Sequence, residues 1–197
     1  TGQVLSQNWL PDARLWGGPA IYTVHERGQQ QYDTMWWLSF GISPELRVQR
    51  VESAYADYLW REVPMSQMPT EAHPGTIVRL NTATKQIEDS YAFPLGRWPS
   101  SPTFIPRANG GANEGYIVTT VMSDDTSTAD SSGDEFWIFD AQNLEQGPLC
   151  RLGHSDLKMP LTLHSCFMDN AIPRTASYQV DLQGEIESRI GNLDSAT

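Results

Sequence analysis

The side chains best suited to chemistry in this chain are its four histidines, at positions 25, 73, 154 and 164, and its two cysteines, Cys150 and Cys166. Imidazole is the commonest transition-metal ligand and the usual general base near neutral pH, so its placement is the first question. His25 precedes the polar run ERGQQQ, His73 lies in TEAHPG and His154 in LGHSD, and all three are expected in solvent-facing turns. His164 differs. It stands in MPLTLHSCFMDN, residues 159–170, among apolar and small residues that read as a buried strand, where a satisfied core histidine and a metal ligand are both open readings. Neither cysteine sits in a C-x-x-C or zinc-like spacing, and both read as reduced core residues of an intracellular protein. The sequence has no G-x-S-x-G elbow, no phosphate-binding loop, no dinucleotide fingerprint and no H-E-x-x-H. The acidic stretch SDDTSTADSSGDE, residues 123–135, lacks the ligand spacing of a calcium loop and reads as a connection without fixed structure.

The elements that must position these residues are read from periodicity. Short runs rich in aromatic and β-branched residues alternate with clusters of Gly, Pro, Asn and Asp. They predict strands at 20–24, 35–40, 55–63, 76–81, 91–95, 102–107, 115–123, 135–141, 148–153, 161–168 and 177–182. Residues 78–87 read as a hairpin turning at Asn81–Lys85, and only 43–55 is ambiguous between strand and short helix. Trp36, Trp37, Trp60 and Trp98 are expected in the sheet core. The fold class is therefore all-β, a sandwich, barrel or propeller, with no repeated signature along the chain. Hydrophobic residues at 39% and charged residues at 19% place the chain among globular proteins. A net charge of −11 argues against nucleic acid as a partner, because phosphate backbones are bound by clustered Lys and Arg. No apolar run approaches the roughly 20 residues of a membrane helix. The opening TGQVLSQNWLPD, with no initiator Met and a strand-like run almost at once, reads as a chain entered midway.

Five pieces of sequence in fixed order carry a further signal. They are Pro102 to Arg107, Glu114-Gly115-Tyr116, Asp140-Ala141 with Leu144, Gly147-Pro148, and Pro160 with His164. In order and spacing, over residues 98–168, this pattern resembles the C-terminal part of the carotenoid cleavage oxygenases; over 14–97 the likeness is weaker. The resemblance implies the C-terminal blades of a seven-bladed β-propeller, here residues 1–168, followed by an extension, residues 169–197. It implies a dioxygenase that uses Fe2+ and O2 to split a conjugated double bond into two carbonyl products, with a lipophilic polyene or a stilbene as substrate.

In that family four histidines hold the iron, and the last of them corresponds to His164. The other three would precede Thr1, because His25, His73 and His154 do not stand in matching contexts. The isolated chain is therefore expected to be inactive. A carboxylate that orients an iron histidine in the family is replaced here by Ser101, and Glu52 is the nearest candidate for a second such group. The expected location is the cytoplasm, with peripheral membrane contact through the preceding segment. A non-catalytic β module that binds a partner without iron is the alternative from another functional class.

Overall fold

The computed structural model describes residues 10, 12–17, 21–25, 32–59, 61, 63–123, 133–168, 170, 172–173 and 181–194. The chain divides into two compact units, Thr1–Phe167 and Met168–Thr197. The first unit is built from two four-stranded antiparallel sheets, each a meander in which sequence neighbours are also sheet neighbours. The first sheet holds β1 (Ile21–Thr23), β2 (Thr34–Ser39), β3 (Thr76–Asn81) and β4 (Gln86–Ala92). The second holds β5 (Arg97–Pro106), β6 (Gly115–Ser123), β7 (Glu135–Asp140) and β8 (Cys150–Gly153). Among the described residues, unit one is thus all-β but for short helical turns and one helix, α1 (Gln49–Tyr55).

Local chemistry sets these elements. In β6 and β7 every second residue is buried, the period of two that a strand imposes on its side chains. The β3–β4 hairpin turns at Asn81, whose side-chain oxygen accepts from the amides of Ala83 and Thr84, both at 3.0 Å. Lys85 closes that turn in the left-handed region, at φ 59°.

The core joins the two sheets. Trp36, Leu38 and Ile77 from the first and Ile117, Val121, Trp137 and Phe139 from the second form one cluster with Phe93, Phe104 and Leu144. The Trp36 and Phe104 rings stack at 4.7 Å. Full burial of such side chains contributes roughly 1.5–3 kcal/mol each. Two polar fasteners cross the same junction. The Trp36 indole donates to the Ala141 carbonyl at 2.8 Å, in a fully buried bond. The Asp89 carboxylate on β4 accepts from the amides of Leu144 (2.6 Å) and Glu145 (3.1 Å), which open a 3-10 turn after β7. A negative charge on otherwise unpaired amides at a helical N-terminus is favourable on two counts, hydrogen bonding and dipole. Tyr91 packs beside this core against Phe93 and Phe139, and burial raises its phenol pKa more than the Arg151 guanidinium lowers it.

Several expectations are corrected. The described residues of 55–63 form no strand: α1 ends at Tyr55, and Tyr55, Tyr58 and Leu59 are all more than half exposed. The ambiguous segment 43–55 resolves as a 3-10 turn and α1. Residues 161–168 form no strand either, for a reason given below. Cys150 and Cys166 are free but exposed, not core. Of the tryptophans, Trp36 is fully buried, Trp37 and Trp98 are half-buried, and Trp60 lies outside the described residues. The expected strand 177–182 lies outside them up to residue 180, and Leu182 opens the helix of unit two, α2 (Leu182–Asp194). The acidic connection also lies outside them over residues 124–132. No helix among the described residues is long and apolar enough to cross a membrane.

Candidate functional site

The segment bearing His164 lies along β5, the first strand of the second sheet. That strand cannot offer a regular ladder. Pro99 and Pro102 have no N–H, and between Ser100 and Thr103 the register shifts, so that Ser101 and Pro102 together face Thr119 on β6. Side-chain hydroxyls take over the pairing. Ser100 accepts from the Thr162 amide at 2.9 Å and donates to the Thr162 carbonyl, to which the Ser101 amide also donates at 3.2 Å. Ser165 donates to the Ser101 carbonyl at 3.1 Å, which leaves its two lone pairs for the hydroxyls of Ser101 (2.8 Å) and Thr103 (2.5 Å). One donor and two acceptor sites are all that a serine hydroxyl has, so Ser165 is saturated. Residues 162–165 are clamped to β5 through hydroxyls, which explains both their fixed course and their failure to form the expected strand.

This clamp decides what the sequence-predicted residues touch. Ser101 is buried at 3% exposure, and in this arrangement its proton goes to Ser165, not to an imidazole. His164 is exposed, in contrast to the buried strand position expected for it, and makes no hydrogen bond among the described residues. Glu52, on α1, is half-buried and paired with Arg47, whose guanidinium also donates to the Pro69 carbonyl at 3.2 Å. Its carboxylate is engaged there and has no histidine partner among the described residues.

Sequence reasoning passed over two features. The first is the clamp itself, for which the run Pro-Ser-Ser-Pro in WPSSPTF is a usable signal: prolines that cannot pair, flanking hydroxyls that can. The second is His25, read as solvent-facing. It is half-buried, its Nδ1 donates to the Ala112 carbonyl, and its ring lies 5.0 Å from that of Phe104. With Thr103, Phe104, Ser165, Cys166 and Phe167 it lines a pocket of about 60 Å3, space for water and not for a polyene. His73 is also half-buried: its backbone bridges to Ile42, and its ring lies 6.0 Å from Trp16. His154 sits in the exposed turn expected of it, its Nδ1 accepting from the Asp156 amide at 3.1 Å.

The motif residues of the second sheet, by contrast, serve the fold. A Cβ on Gly115 would stand 2.3 Å from the Ile105 carbonyl and 2.8 Å from the Phe104 ring, so the position admits no side chain. Asp140 accepts from the Gln142 amide at 2.9 Å and closes the turn that delivers Ala141 and Leu144 to the core. Gly147 takes φ 82°, a conformation that glycine alone adopts readily. Arg107 lies over the Tyr116 ring at 5.3 Å, with Asp140 at 3.6 Å from its guanidinium.

Comparison with known proteins adds two findings. Residues 42–169, well over half of the chain, match the family described as retinal pigment epithelial membrane protein. A stretch of 84 residues is 39% identical to resveratrol cleavage oxygenase 1 of Chaetomium globosum. That alignment covers 43% of the chain but 13% of the relative, so the chain corresponds to a minor part of that protein's length.

Proposed function

We propose that this chain, which belongs to the retinal pigment epithelial membrane protein family, is the C-terminal part of an oxygenase that cleaves a conjugated carbon–carbon double bond with O2 into two carbonyl products. One observation carries the reading. The family match runs from residue 42 to 169 and so takes in both the bulged strand β5 and the clamped segment that presents His164. In this reading residues 1–168 are the last blades of a seven-bladed propeller, and residues 169–197 are an extension. Two consecutive four-stranded meanders are the kind of unit such a propeller repeats.

His164 is the imidazole this chain offers to Fe(II), which when bound supplies the activation of O2. The chain's own work is positional. The Ser100, Ser101, Thr103 and Ser165 hydroxyls fix the backbone on either side of His164, and an imidazole with no hydrogen-bond partner among the described residues is free to ligate. The relative cleaves resveratrol by its name, and that supports a stilbene as substrate beside a lipophilic polyene. A cytoplasmic location, with membrane contact through sequence outside residues 1–197, belongs to the same proposal.

The exposure of His164 favours one other reading, a β module that binds a partner and uses no iron. His164→Ala separates the two in protein isolated with whatever sequence accompanies these residues. An oxygenase loses its iron and its aldehyde products while its circular dichroism stays that of a β protein. Retention of wild-type iron content and turnover in the variant removes His164 from the site.

A further inference from the structure

We infer that this chain does not hold iron by itself, because among the described residues its imidazoles do not converge with other donors into a group able to hold a metal ion. The inference rests on the reading of His164 as a ligand, and it concerns where the rest of the donor set comes from. All four histidines of the chain lie among the described residues, so the account of imidazoles is complete. His25 spends its Nδ1 proton on the Ala112 carbonyl and lays its ring on Phe104. His73 is fixed by its backbone bridge to Ile42 and tilts against Trp16. His154 turns its Nδ1 lone pair to the Asp156 amide within its own turn.

The other donors do not make up the shortfall. Among the described residues no three of His, Cys, Asp and Glu come together in a group that could hold a metal ion. The buried carboxylate of Glu135 is held by both terminal contacts of Arg151 and by the Trp137 indole. Asp134 accepts from the Met159 amide at 2.7 Å, and Asp89 caps the 3-10 turn. The hydroxyl oxygens nearest His164 in sequence are used up in the clamp. An ion bound to His164 alone keeps water in its remaining positions, and protein metal sites draw their affinity from three or four converging ligands. The described residues therefore do not fit an iron centre. The missing nitrogens belong to polypeptide other than residues 1–197.

The test is an anaerobic titration of the purified 197-residue chain with Fe(II), after near-ultraviolet circular dichroism has shown the buried tryptophans in ordered surroundings. Iron retained after gel filtration should be below about 0.1 equivalent, and His164→Ala should change it less than about twofold, as expected for a single imidazole without supporting ligands. Retention near one equivalent overturns the inference, whichever histidine variant abolishes it. That result would leave the oxygenase reading standing, since His164→Ala in the accompanied protein tests it separately.

Discussion

Every hydrogen-bonding capacity of the Ser165 hydroxyl is filled, whereas His164, one residue earlier, has no partner among the described residues. That contrast within two positions is the physical basis for reading Ser165 as a fastening and for proposing His164 as a ligand. It also bears on Ser101, where the family resemblance places a carboxylate. The Ser101 side chain is buried at 3% exposure and fits between β5 and Ser165, with room for a hydroxyl. Ser101→Glu should destabilise the fold by about 2–4 kcal/mol, from overpacking and from a buried charge with only hydroxyls to solvate it. Ser101→Ala should cost only about 1 kcal/mol, the net worth of one hydrogen bond. Urea denaturation of both variants checks the pair. A Ser101→Glu protein as stable as the parent would mean that the site has a cavity for a carboxylate. The sequence signals the site only in part: WPSSPTF shows hydroxyls between prolines, but which partner they reach depends on a segment 62 residues away.

The two sheets are held together by contacts from strands of the first to the turn that follows β7 in the second, and Asp89 is the clearest of these. Its carboxylate stands on β4 of one sheet and accepts from two amides of the turn that follows β7 of the other. Asp89→Ala leaves both amides without that partner and should cost about 2–3 kcal/mol, while Asp89→Asn, which keeps one acceptor, should cost roughly half as much. Thermal unfolding measures the ordering, and equal losses for the two variants would show that charge and not geometry sets the contact. At this scale the runs at 20–24, 35–40, 76–81, 115–123 and 135–141 are legible as strands because each places side chains in the core between the sheets, with alternate burial clearest in 115–123 and 135–141. Residues 55–63 share the same residue types, but Tyr58 and Leu59 face solvent, so no packing rewards an extended chain there. Residues 161–168 fail for another reason: the strand they lie against is bulged and carries three prolines, Pro99, Pro102 and Pro106. Neither circumstance is visible in the segment's own sequence.

At the scale of the molecule, all members of the core cluster lie between Trp36 and Leu144, inside the first compact unit. A chain ended at Phe167 should therefore melt within about 3 °C of the 197-residue chain, since no core burial is removed. A fall of more than about 10 °C would assign the second unit a share of the stability that its composition does not suggest. The meander topology has a consequence for synthesis. Each sheet pairs only strands that are adjacent in sequence, so β1 to β4 are able to pair while β5 is still being translated. The Trp36–Ala141 bond spans 105 residues and has to wait for β7 to emerge. Until then the Trp36 indole lacks its acceptor, and the apolar face of the first sheet stays open to solvent or to a chaperone. A ribosome paused between residues 92 and 141 would expose that face for longest, which makes the codons of the second sheet a determinant of how much of this protein reaches its folded state.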